Sequence, residues 1–244
     1  EDENGSITFS ELKESAIKIA FSINECKKEY NKPIGVLLPK SKESIVSFLG
    51  VNYSGNFYVP LDIKSPNERL LKIVNKLKPS TIITTLDGKK KLMDLGFLGN
   101  IIIPKESIKM DLLAEDFKRI LKIYNAIIDT DPIYAIFTSG STGTPKGVLI
   151  SYRGVIDYLE WASKTYNINE KEIIGSQAPF YFDNSTLDIY LMISTGAKLV
   201  IVPEEKYMFP LELIKYINEK NINFVFWVPS VLVNIANFKA LGTS

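Results

Sequence analysis

The stretch Ile133-Tyr134-Ala135-Ile136-Phe137, followed at once by Thr138-Ser139-Gly140-Ser141-Thr142-Gly143-Thr144-Pro145-Lys146-Gly147, decides how this chain is read. Its first half is a short apolar run of the kind that forms a buried strand. Its second half places five hydroxyls, three glycines and one lysine in ten residues. Glycine permits positive φ and close backbone approach to a ligand. Successive N–H groups in such a turn form an anion-binding nest, hydroxyls add donors, and lysine adds a mobile positive charge. That is the chemistry of a loop that holds phosphates. Composition alone favours a flexible turn between two strands, but the ordered string closing on Pro-Lys-Gly reverses that in favour of the phosphate reading. A Walker loop would place its lysine at the start of a helix. Here Lys146 lies between Pro145 and Gly147, and Val148-Leu149-Ile150 predicts a second strand instead.

Working outward, strands and helices alternate. Thr8 and Glu11 form a capping box for a helix carrying Leu12, Ala16, Ile19, Ala20 and Ile23. Ile34–Leu38 reads as a buried strand, Lys42–Tyr53 as a helix, and Ser65-Pro66-Asn67-Glu68 as a helix start capped by Ser65. Further strands are expected at Thr81–Thr84 and Ile101–Ile103, with a linker over Lys105–Thr130. After the loop, a helix is expected over Tyr152–Tyr166, then strands near Ile173–Gln177, Lys198–Val202 and Asn223–Trp227. Helices near Ser185–Ser194, Leu211–Lys220 and Pro229–Phe238 complete the series. This alternation predicts an α/β fold, doubly wound, with mostly parallel sheets and helices on both faces. Residues 1–130 are expected to form a first lobe with its linker, and residues 131–244 a second lobe with the loop and a substrate pocket.

Composition excludes several mechanisms. The 244 residues contain no histidine and one cysteine, Cys26, so no His-dependent triad, internal disulfide or cysteine-rich zinc site exists within them. Cys26 is read as a small packing residue. At 45% hydrophobic, 23% charged and net charge +1, the chain is of globular type and has no global field for nucleic acid or acidic membranes. Lys89-Lys90-Lys91, after Asp87-Gly88, reads as a solvated turn. No apolar run reaches the roughly 20 residues of a membrane span, and no secretory signal pattern is present, so a cytoplasmic location is expected.

Tyr134 to Val148 closely resembles the phosphate-loop signature of the adenylate-forming (AMP-binding) superfamily. The likeness extends along the chain: Ile7-Thr8-Phe9-Ser10-Glu11-Leu12 and Gly50 to Asp62 resemble two early landmarks, both structural, and Phe182-Asp183-Asn184-Ser185 resembles a substrate-binding one. Ser176 to Asp183, Leu187-Asp188-Ile189-Tyr190 and Tyr158-Leu159-Glu160-Trp161 are most similar to D-alanine–carrier-protein ligases, with nonribosomal adenylation domains close behind.

The resemblance implies activation of an amino acid by ATP with Mg²⁺, then transfer of the acyl group to a carrier-protein phosphopantetheine thiol. Thr138, Ser139, Gly140, Ser141, Thr142, Gly143, Thr144 and Lys146 would hold the ATP phosphates; Asp183 would pair with the substrate ammonium; Asn184, Leu187 and Phe226 would line its pocket. No catalytic residue or protein metal ligand is assigned. Asp183, grouped with Phe180, Tyr181 and Phe182, would be costly to bury without a cation, yet it equally reads as a helix cap. Leu187 and Phe226 equally read as core. The family's adenine, ribose and catalytic-lysine segments are missing, so the chain is expected to be an N-terminal part, without the C-terminal domain and inactive alone. A fatty-acyl or acyl-CoA synthetase fragment and a non-catalytic nucleotide-binding module are the alternatives.

Overall fold

Thr8 opens the first helix by the box its sequence announces. In the computed structural model, which describes residues 1–138 and 145–238, its hydroxyl accepts the Glu11 N–H at 3.2 Å. The Glu11 carboxylate accepts the Thr8 N–H at 2.8 Å in return. Helix α1 (Phe9–Cys26) buries Leu12, Ala16, Ile19, Ala20 and Ile23, the apolar face expected of it. There follow β1 (Pro33–Leu37), α2 (Lys42–Tyr53), β2 (Phe57–Pro60), α3 (Asn67–Leu77), β3 (Thr81–Thr84), α4 (Leu86–Asp94) and β4 (Asn100–Ile102). Then come the single turn α5 (Pro104–Ser107), α6 (Ala114–Tyr124), and the hairpin of β5 (Pro132–Thr138) and β6 (Lys146–Ser151).

These strands form one sheet in the order β4-β3-β1-β2-β5-β6. Every pairing is parallel except β5 with β6. The central strands are buried along nearly their whole length, as continuous apolar runs in a covered parallel sheet should be. Leu37, Val59, Leu70, Ile82, Leu92 and Ala135 bring β1, β2, α3, β3, α4 and β5 into one core. Burying each large aliphatic side chain contributes about 1.5–3 kcal/mol.

A second sheet, in the order β8-β7-β9 and wholly parallel, belongs to the rest of the chain: α7 (Tyr152–Tyr166), β7 (Ile173–Ser176), α8 (Asn184–Thr195), β8 (Lys198–Ile201), the 3-10 turn Glu204–Met208, α9 (Pro210–Glu219), β9 (Phe224–Val225) and α10 (Pro229–Asn237). Val200, Val202, Leu213, Ile222, Trp227 and Ile235 form its core. Glu1 is bound here too: its main-chain oxygen accepts the Ile201 N–H at 2.8 Å, and its carboxylate meets Lys198 and Lys220 at 2.6 Å.

Four expectations are corrected. The chain divides into one compact unit over Ile7–Gly154 and another made of Glu1–Ser6 with the chain from Val155 onward, not at residue 130. The reason is pairing: Tyr134 of β5 is in register with Tyr58 of β2, which draws the hairpin into the first sheet. The expected linker contains α6, whose Ile120 is fully buried with Ile17 and Ala20 of α1. Its start is held by the Asp116 carboxylate, which accepts the Leu113 N–H at 3.1 Å. The lysine run is helical, not a turn, because Thr85 caps α4 by accepting the Gly88 N–H at 3.1 Å. Pro66 rather than Ser65 is the cap of α3, and Ser65 is buried with its N–H spent on the Asp62 carbonyl at 3.0 Å.

Cys26, too, departs from its reading: it ends α1 exposed rather than packed. Partial desolvation and the neighbouring Glu25 carboxylate raise its thiol pKa, the wrong direction for a nucleophile.

Candidate functional site

The hairpin that flanks the predicted phosphate loop is built by its two strands. β5 and β6 pair continuously from Tyr134↔Ile150 to Thr138↔Lys146, so the two ends of the loop face each other across one antiparallel pair. Both Thr138 and Lys146 are exposed, while Pro145 is buried. The Thr138 hydroxyl points to the Lys146 carbonyl at 3.5 Å, beyond a good hydrogen bond. The Pro145 carbonyl instead accepts a 2.9 Å hydrogen bond from the Lys76 ammonium of α3. Gly147 lies against the Phe137 ring, where an added Cβ would come within 3.2 Å. Glycine at that point lets β6 close onto β5.

The far end of the hairpin is tied separately. Arg153 grips Asp129 with Nε at 2.8 Å and Nη2 at 3.1 Å, and the guanidinium holds the Asp129 carboxyl below its usual range. Asp131 accepts from the Asn31 side chain at 3.0 Å. Of the predicted phosphate-binding residues, the structure brings Thr138 and Lys146 together. Ser139, Gly140, Ser141, Thr142, Gly143 and Thr144 lie outside the described residues.

The predicted substrate residues belong to the other compact unit. Asp183 is the N-cap of α8, and its Oδ1 accepts the Asn184 N–H at 2.9 Å. The cap is reinforced by hydroxyls that donate to carbonyls: Ser185 to Phe182 at 2.7 Å and Thr186 to Asp183 at 2.6 Å. Asp183 is exposed, so the argument from costly burial among aromatic rings does not apply to it. Asn184 is half-buried and Leu187 is fully buried. Asp188, beside it, is fully buried too; burial first and then the Asp188 carboxylate push the Tyr207 hydroxyl pKa up.

Phe226 follows β9 and is half-buried, its ring 6.5 Å from that of Tyr166. Tyr166 also meets Phe224 at 5.7 Å and Trp161 at 5.8 Å, so Phe226 stands at the end of an aromatic row. Trp227 turns the opposite way, donating its indole N–H to the Gly175 carbonyl at 2.9 Å. Asp183 and Asn184 thus share the start of one helix, Asp183 exposed and Asn184 half-buried, while Phe226 is half-buried after β9. Leu187 presents no surface. Sequence reasoning missed Lys76, because nothing in α3 signals that its side chain reaches residue 145.

Among the described residues there is no group of three or more His, Cys, Asp or Glu side chains that could hold a metal. No helix among them is long and apolar enough to cross a membrane.

Comparison with known proteins agrees with this frame. A D-alanine–D-alanyl carrier protein ligase of Bacillus cytotoxicus is 29% identical over 228 residues, covering 92% of this chain and 43% of the relative. Tyrocidine synthase 1 of Brevibacillus parabrevis is 24% identical over 233 residues, covering 96% of this chain and 21% of the relative. The chain therefore spans less than half the length of either. Among solved structures, the nonribosomal peptide synthetase FmoA3 superposes with a TM-score of 0.85 at 20% identity, covering all of this chain and 25% of that one. A four-domain synthetase, AB3403, bound to AMP and glycine, gives 0.83 at 23% identity, covering 97% of this chain and 17% of that one. These structural likenesses establish the shared fold. The family model described as AMP-binding enzyme matches residues 1–243, and on that match this chain belongs to the AMP-binding enzyme family.

Proposed function

We propose that this chain supplies the phosphate-binding and amino-acid-binding parts of a ligase that activates an amino acid, with D-alanine the first candidate, as an aminoacyl-adenylate. The family match over residues 1–243, with the hydroxyl-rich loop spanning the β5–β6 hairpin, carries the reading. In this reaction a carboxylate attacks the α-phosphorus of ATP and pyrophosphate leaves. Both partners are negative, so the work is positioning and charge neutralisation. Lys146 supplies positive charge at the hairpin, and Thr138 with the Ser139–Thr144 hydroxyls supplies donors. Magnesium arrives with ATP as part of the substrate.

Asp183 pairs with the substrate ammonium from the start of α8, with Asn184 and Phe226 beside the side chain and Leu187 supporting them from the core. The phosphopantetheine thiol of a carrier protein then attacks the acyl carbon of the adenylate; the thioester bond forms, the acyl–phosphate bond breaks, and AMP and the thiol proton leave. The setting is cytoplasmic. The relatives named for carrier-protein ligation support that partner and the choice of substrate.

Pyrophosphate exchange in the intact protein tests this, with D-alanine, L-alanine, other amino acids and a fatty acid offered in turn. Exchange is expected to depend on an amino acid, and Lys146→Ala to raise the KM for ATP. Exchange driven by the fatty acid alone, or ATP binding indifferent to Lys146→Ala and Thr138→Ala, overturns the reading.

A further inference from the structure

Lys76 occupies the last turn of α3, and its Nζ donates to the Pro145 carbonyl at 2.9 Å. Several features give that contact weight. Pro145 has no N–H and a fixed φ, so its carbonyl is the one main-chain hydrogen-bonding group by which this residue can be tethered. The same peptide unit continues into the backbone N of Lys146, the first residue of β6. Beyond the strand pairing of Thr138 with Lys146, the side-chain contact at this point, from the Thr138 hydroxyl to the Lys146 carbonyl, is long at 3.5 Å. The helix that carries Lys76 is itself fixed, because Leu70 and Ile73 are buried in the core of the first sheet at 1% and 6% exposure. A rigid helix thus reaches across the sequence with a cation and holds the peptide from which Lys146 projects.

We propose that Lys76 is a positioning residue for ATP: it fixes the Pro145–Lys146 peptide and adds a second positive charge at the foot of the phosphate loop. One of the three ammonium donors goes to Pro145, and the charge stays beside the peptide that carries Lys146. This inference rests on the reading that the β5–β6 loop binds ATP. Its signature is selectivity: loss of Lys76 weakens nucleotide binding and spares the amino acid.

The experiment compares Lys76→Met, Lys76→Arg and Lys146→Ala in the intact protein, varying ATP and amino acid separately in pyrophosphate exchange and following thermal unfolding in parallel. Lys76→Met is expected to raise the KM for ATP about three- to tenfold, the range of one exposed charged hydrogen bond and its local field. The KM for the amino acid and the melting temperature stay at wild-type values, and Lys76→Arg recovers most of the loss. Lys76→Gln repeats the test where the methionine variant folds poorly. A wild-type KM for ATP in both neutral variants, an equal rise in both KM values, or no recovery in Lys76→Arg overturns the proposal. If Lys146→Ala weakens ATP while the Lys76 variants do not, only the role of Lys76 falls. If Lys146→Ala is also without effect, the phosphate-loop reading falls with it.

Discussion

Asp183→Asn separates two jobs that one carboxylate can hold. As a helix cap, Asp183 offers Oδ1 to the Asn184 N–H at 2.9 Å, and asparagine caps helices as well as aspartate does. The exchange therefore leaves stability within a few tenths of a kcal/mol. As the partner of a substrate ammonium, however, Asp183 must keep its charge. A hydrogen bond to a charged group contributes about 1.5–3 kcal/mol, and its loss lowers kcat/KM for the amino acid about 10- to 150-fold. The KM for ATP should not move. Asp183→Ala removes both functions, so it should repeat that kinetic loss and also cost about 0.5–2 kcal/mol from the cap, a few degrees in melting temperature for a domain of this size. Pyrophosphate exchange with the amino acid and with its desamino analogue provides the assay, alongside thermal melts. The asparagine variant should also lose most of its preference for the amine-bearing substrate. If Asp183→Asn keeps wild-type kcat/KM and only Asp183→Ala is altered, through stability, Asp183 is a cap and nothing more.

Leu187→Ala, at a fully buried site in α8, should cost about 2–5 kcal/mol, while Leu187→Met keeps the substrate preference; a changed preference in a methionine variant of normal stability would make Leu187 a pocket wall. Gly50→Ala places a Cβ 2.6 Å from Ile19 Cγ2, where α2 crosses α1, and should destabilise by about 1–3 kcal/mol in a urea titration; unaltered stability would mean that the two helices separate freely. Hydrogen bonds from Lys198 and then Lys220 lower the Glu1 carboxyl pKa from 4.5 to about 2. A depressed carboxylate stabilises the fold above its unfolded pKa and loses that contribution as pH falls through the folded one. Acid unfolding followed between pH 5 and about 2 should therefore show a Glu1-dependent component that Glu1→Gln removes, and superimposable acid transitions would deny the ion pairs any role.

Most of the element order was legible, because local rules govern it. The Thr8–Glu11 box, the buried runs of β1 and β3, and the helices α2, α7 and α9 follow from capping and periodicity within a few residues. The misreadings came where a local signal was outweighed. Asp87 and Gly88 look like a turn, but Thr85 caps the segment and Leu92 anchors it in the core. Ser65 looks like a cap, but an Asp62 turn takes its N–H and closes further through the Lys64 N–H on the Asp62 carboxylate at 2.8 Å. The stretch from 105 to 130 blends a short turn, a helix and a loop, which hides the spacing of Phe117, Ile120, Leu121 and Tyr124 inside α6.

The site was legible unequally, and the cause is range. The hydroxyl- and glycine-rich stretch proposed to bind phosphate is contiguous, so its residue types and order can be read without any knowledge of folding. The hairpin pairing that sets Thr138 opposite Lys146 follows from the two flanking strands. Which sheet owns that hairpin is a different kind of fact, decided by a Tyr58↔Tyr134 pairing across 76 residues of chain, and the tie from Lys76 to Pro145 spans 69. Exposure is long-range as well. The aromatic neighbours of Asp183 in sequence suggested burial, yet α8 starts at the surface and the carboxylate is left accessible. An accessible capping carboxylate accepts a substrate cation without the desolvation penalty of a buried one. That removes the energetic reason first given for an ammonium partner, and it leaves recognition to geometry and charge, the two properties that Asp183→Asn pulls apart.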